Sequence, residues 1–133
     1  MLLGLRTNRP ARGTWFVPGG AIRKDESLDQ AFSRIARAEL ALELDRGSAR
    51  LLGQHFCGDN FAGRDGVSMH YVVLAHDIVL LSLPADAPRK QHRDLRAFGI
   101  AELLAHPDVH ENTKAYFRPR AIRDSRRPYN LPA

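Results

Sequence analysis

Cysteine is nearly absent from this 133-residue chain: Cys57 stands alone, so no internal disulfide can form, a usage that fits a reducing compartment. Long apolar runs are absent as well. Nothing approaches the ~18 to 20 residues that span a bilayer, and Met1-Leu2-Leu3-Gly4-Leu5 meets Arg6 too early to be a signal-peptide core. The chain therefore reads as soluble, unexported and cytoplasmic, with no membrane partner. There is no internal repeat and no low-complexity stretch. Hydrophobic residues at 44% and charged residues at 26% are ordinary globular values that exclude disordered and collagen-like classes. His55, His70, His76, His106 and His110 show no ligand spacing of the HExxH kind, so a zinc site is not expected. Lysine is the scarce cation, confined to Lys24, Lys90 and Lys114 among 20 basic residues. The positive charge is thus nearly all guanidinium, which suits bidentate phosphate contacts, although arginine bias can equally reflect genome base composition.

What is present is one domain's worth of chain, 14.9 kDa, with a net charge of +5 and a pI near 10.0 that favour an anionic partner. Met1–Leu5 reads as the end of a strand, broken by the Asn8–Gly13 loop, and Trp15-Phe16-Val17 resumes it before the Pro18-Gly19-Gly20 turn. The clearest helix follows over Ser27–Leu42, its start marked by the Ser27/Gln30 capping box. Strands are expected at Leu51–Phe56 and Met69–Leu81, with a polar loop over Cys57–Val67 between them. A further loop, Pro84–Asp94, leads to a short strand near Leu95–Phe98. Helical stretches are expected at Ile100–Ala105 and Asp108–Phe117, then a basic, Pro-containing tail over residues 118–133. Strands on either side of a central helix, with a second helix late, indicate a mixed α/β (α+β) layer fold.

A helical wheel isolates one anomalous carboxylate. At about 100° per residue with Leu28 at zero, Ala31, Phe32, Ile35 and Leu42 form one apolar stripe, and Glu39 falls at about 20°, in the middle of it. A carboxylate there must be paired, protonated or bound to a metal, because an isolated buried charge costs several kcal/mol. The helix is preceded by Gly19-Gly20 and by Glu26, and Arg34 flanks its apolar stripe. Carbonyl and carboxylate oxygens together are what Mg²⁺ prefers, so the segment could cradle a metal and a diphosphate.

With those residues in view, the sequence resembles a Nudix hydrolase. The signature of that superfamily is G-x5-E-x7-R-E-U-x-E-E-x-G-U, with U a bulky aliphatic. The chain keeps the spacing with Gly20, Glu26, Arg34, Glu39 and Leu42, and departs from it at Ile35 and Ala38, which replace glutamates, and at Ala41, which replaces the closing glycine. The two altered glutamates resemble one subfamily, the GDP-mannose mannosyl hydrolases. Further segments are similar to that subfamily: Thr7-Asn8-Arg9-Pro10-Ala11, Trp15–Gly20, Gln54-His55-Phe56, Asp59-Asn60-Phe61, His70–Leu74, Gln91-His92 and Ala115-Tyr116-Phe117.

The resemblance implies a Nudix fold, a mixed β-sheet between helices in an α/β/α sandwich, formed by residues 1–133 as a single domain without the family's N-terminal strand. It implies Mg²⁺-dependent hydrolysis of GDP-mannose, and of GDP-glucose, to GDP and free sugar by water attack at the anomeric carbon with inversion. Carried over residue by residue, the metal ligands are the Gly19 carbonyl, Glu39 and Gln91, with Mn²⁺ as an alternative ion. Arg6 and Arg34 stabilise the departing GDP, Tyr71 contacts the diphosphate, and His92 is the general base. Imidazole suits that role, since its ordinary pKa of ~6.5 leaves it unprotonated at neutral pH. The expected partner is a nucleotide sugar, in a homodimer. Ala21 stands where the subfamily has an arginine, with Arg23 two residues on. Two other functions compete: a Nudix pyrophosphatase for another nucleotide sugar, which Ile35 and Ala38 oppose, and a non-catalytic nucleotide- or RNA-binding domain, which Ala21 and Ala41 favour. The basic tail lacks interleaved aromatics, so nucleic acid is not the expected partner.

Overall fold

The computed structural model describes residues 1–58, 65–67 and 69–119 of the chain. Its elements are β1 (Leu2–Arg6), β2 (Trp15–Phe16), α1 (Leu28–Leu40), β3 (Arg50–Gly58), β4 (Met69–Asp77), β5 (His92–Ala97), α2 (Ile100–Ala105) and α3 (Glu111–Ala115), with one 3-10 turn at Arg46–Ser48. The mixed α/β class is the one found. The Asp59-Asn60-Phe61 segment, most of the polar loop around it and the tail from residue 120 onward lie outside the described residues.

Helix α1 starts where its capping box places it. The Ser27 hydroxyl accepts from the Gln30 N–H, and the Gln30 side chain accepts from the Ser27 N–H at 2.8 Å, which satisfies two donors the helix cannot. It ends at Leu40, two residues short of the expected end. Ala41 turns left-handed (φ 54°, ψ 34°) and sends its N–H back to the Ala36 and Arg37 carbonyls, which leaves Leu42 beyond the helix.

Other boundaries differ from expectation as well, β3 running two residues into the expected Cys57–Val67 loop, and three of them differ for want or gain of a partner. Strand β4 ends at Asp77 rather than Leu81 because Asp77 pairs with Arg50, the first residue of β3; Val79 and Leu81 then stand in solvent. Strand β5 begins at His92, inside the expected Pro84–Asp94 loop, because β1 reaches Arg6 and pairs along its whole length. Helix α3 is confined to Glu111–Ala115 because the residues before it serve β2: Trp15 N–H donates to the Asp108 carbonyl at 2.8 Å, and His110 N–H donates to the Trp15 carbonyl at 3.1 Å.

The strands form two antiparallel sheets, β2-β1-β5 and β3-β4. Side chains alternate along a strand and paired residues share a face, so the two faces of the first sheet can be assigned. One face carries Leu3, which packs with Phe98, Leu103 and Val109 into the core under α2, with Trp15 against it. The Trp15 and Phe98 rings meet edge-on at 5.2 Å. The opposite face carries Phe16, Gly4 and Arg6, and α1 lies against it. Helix α1 also sets Phe32 on the His76 ring of β4, 5.0 Å between centroids, and α3 reaches β4 where Asn112 Nδ2 donates to the Tyr71 hydroxyl at 2.9 Å. Among the described residues no helix is long and apolar enough to cross a membrane.

Candidate active site

The face of β1 covered by α1 holds the charged groups. Glu39, 7% exposed, projects from the buried side of α1 as the helical wheel requires. Its Oε2 lies 2.8 Å from His92 Nε2. Despite that distance the two are not aligned for a hydrogen bond: Glu39 Oε2 and both ring nitrogens of His92 are buried with no hydrogen-bond partner. Proximity without a formed bond describes this pair better than a completed salt bridge. Arg6 joins it from β1. Burial pulls the Arg6 guanidinium below its usual value, and the Glu39 carboxylate pushes it partly back.

His92 corrects the sequence reading most sharply. In place of a residue within the expected Pro84–Asp94 loop, it is the first residue of β5 and 2% exposed. The cause is a bulge. The β1–β5 register pairs Leu5 with Asp94 but Arg6 with His92, so Arg93 is the extra residue. A bulge re-aims the residue beyond it: without the extra residue His92 would share the face of Leu5, and with it His92 joins Gly4 and Arg6 beneath α1. His92 also borders a cleft lined by Pro84, Pro88, Arg89 and Asp94.

Arg6 is fixed by its own loop. Its Nε donates to the Pro10 carbonyl at 2.7 Å, its Nη2 to Asn8 Oδ1 at 3.4 Å, and the guanidinium stands 5.7 Å from the Phe16 ring centroid, within cation–π range. Gln91, next to His92, is bound through its backbone carbonyl, which accepts from Thr7 N–H at 3.0 Å and from the Thr7 hydroxyl at 3.2 Å.

The side-chain hydrogen bonds of Arg34 and Tyr71 go to partners outside this group. Arg34 is committed to the turn before the helix: Nε and Nη2 donate to Glu26 at 2.6 and 2.9 Å, and Nη2 also donates to the Ala21 carbonyl at 2.8 Å. That fork, with the Arg23 N–H at 2.9 Å, holds the Glu26 carboxyl down at about 2 and raises Arg34. Glu26 is thereby bound on both oxygens within the turn that precedes the helix. Gly19 is exposed on the same turn. Tyr71 is half-buried and faces α3; burial raises its pKa, and the Asn112 hydrogen bond opposes the shift. The side chain of His55 lies outside the described residues.

The sequence profile of the NUDIX domain family matches residues 1–120. The chain belongs to the NUDIX domain family. A Haloferax volcanii relative, low-salt glycan biosynthesis protein Agl8, is 39% identical over 112 residues, covering 82% of this chain and 69% of that protein. Among solved structures, the MutT NUDIX hydrolase from Burkholderia pseudomallei superposes with a TM-score of 0.66 at 25% identity, over 87% of this Nudix chain and 84% of that one. The MutT protein from Methanosarcina mazei Go1 superposes at 0.61 with 18% identity, over 87% and 78%, a likeness of fold. This Nudix hydrolase is accordingly expected to take a nucleotide-derived substrate, and Nudix hydrolases generally use divalent metal ions such as Mg²⁺. The donor chemistry suits such an ion. Glu39 Oε2 is a buried oxygen without a hydrogen bond, a donor that a cation could take up. Among the described residues no three His, Cys, Asp or Glu side chains converge, so a cation here would combine one carboxylate with neutral oxygens, a set that Mg²⁺ accepts and zinc does not favour.

Proposed function

We propose that this Nudix hydrolase cleaves GDP-mannose, and GDP-glucose, to GDP and free sugar by water attack at the anomeric carbon with inversion. The observation that carries the reading is the convergence of Glu39, His92 and Arg6 on one buried face. Glu39, the Gly19 carbonyl and Gln91 would hold Mg²⁺, which supplies Lewis-acid neutralisation of the diphosphate leaving group. Arg6, held by Pro10 and Asn8, presents a fixed guanidinium to charge that grows on the departing GDP. Arg34, fixed beside the glycine turn by Glu26 and Ala21, and Tyr71 complete the proposed diphosphate contacts. His92 takes the proton of the attacking water. The glycan-biosynthesis name of the Haloferax relative supports a sugar-bearing substrate. Ile35 and Ala38, where ordinary Nudix pyrophosphatases of the same signature carry glutamates, support attack at carbon rather than phosphorus.

The same proposal includes a cytoplasmic homodimer. Leu51, Val72 and Leu74 share one face of the β3–β4 sheet and are exposed there, an apolar surface that association would cover.

His92→Gln tests the base. The variant keeps the ring's approximate size and loses the proton acceptor, so kcat should fall by roughly a hundred- to ten-thousandfold while GDP binding, followed by calorimetry, is retained. An unchanged kcat removes His92 as the base.

A further inference from the structure

We propose that Gly4 is a positioning residue for the His92 imidazole, an inference that rests on the reading of His92 as the base. Gly4 lies in the interior of β1, paired with Phe16 on one side and Leu95 on the other, where glycine weakens a strand and often marks a close approach. Its backbone does not require glycine: unlike Gly13 and Gly66, it has no positive φ. Space does. A Cβ on Gly4 would stand 2.2 Å from His92 Nδ1, 2.3 Å from Cγ and 2.8 Å from Cε1. Cγ is the root of the ring, so no swing of a flexible tip relieves the contact; the whole imidazole must leave. By contrast, a Cβ at Gly19 or Gly53 would meet nothing within 4 Å.

The bulge and the glycine act together. The extra residue Arg93 turns His92 onto the face of β1 that carries Gly4 and Arg6, and the missing side chain at position 4 leaves the ring room against that strand, 2.8 Å from Glu39. Any larger residue at position 4 pushes the ring away from the group it serves. The base thus keeps its place through a vacancy on the neighbouring strand.

The test is a double-mutant cycle between positions 4 and 92. Gly4→Ala should lower kcat for GDP-mannose by roughly a hundredfold, the size expected when a reacting group is displaced by about an ångström, with GDP affinity kept. In the His92→Ala background the same substitution should reduce neither the residual rate nor the melting temperature, because the ring it strikes is gone. Gly53→Ala should match the parent in both. If Gly4→Ala alone fails to fold, recovery of folding in Gly4→Ala/His92→Ala supports the clash and continued failure overturns the proposal. Equal losses in both backgrounds also overturn it, since they report damage to the strand alone. A normal rate for Gly4→Ala beside a lost rate for His92→Gln refutes the positioning role and spares the base; a normal rate for His92→Gln refutes the base, and the positioning role with it.

Discussion

Ala41 ends α1 in the left-handed region, at φ 54° and ψ 34°, where an L-residue with a Cβ is strained and glycine is not. The Nudix signature carries glycine at this position, so the chain keeps the geometry and has lost the residue that adopts it freely. Ala41→Gly should raise unfolding free energy by about 1 kcal/mol, seen as a higher midpoint in denaturant with an unchanged slope; a lower midpoint would mean that the Ala41 methyl packs. Residue-scale legibility followed locality. Glu39 could be found from the sequence because helical period and signature position agree. Gly4 could not: its requirement is set by a ring far along the chain, and a lone strand glycine signals close approach without naming what approaches.

At the scale of elements, the stretch from Gly19 to the start of α1 is tied by the Glu26–Arg34 pair. Glu26 ionises well below an ordinary carboxyl, at about 2 against 4.5, chiefly through the Arg34 hydrogen bonds and then the Arg23 N–H. A depressed folded pKa contributes stability that is present above the unfolded value and lost as pH falls through the folded one. The contribution should therefore fade between about 4.5 and 2. Glu26→Gln should melt lower than the parent at neutral pH, and the gap should close toward pH 2. A gap that stays constant with pH would show that the pair acts through packing instead. Capping and periodicity made α1 legible to within two residues. The start of β5 was not, because polar residues Gln91–Asp94 carry no strand pattern and the strand exists there only through pairing with β1 across a bulge.

At the scale of the whole molecule, the arginine excess divides. Arg6 and Arg34 lie where a diphosphate is proposed to bind, whereas Arg37, Arg46, Arg50, Arg96 and Arg118 each pair with a carboxylate at the surface, contacts worth little to stability. Composition could announce an anionic ligand but could not say which guanidinium meets it. The α/β class was legible from the order of strands and helices, while the division into two sheets depends on long-range pairing that local pattern does not encode. The central claim is that water attacks carbon in a nucleotide sugar, with Glu39, His92 and Arg6 on one face of β1. Turnover of GDP-mannose with Mg²⁺ in ¹⁸O water measures this directly. The account predicts label in the released sugar and none in GDP; label on phosphate, or no turnover by the folded protein, would contradict it.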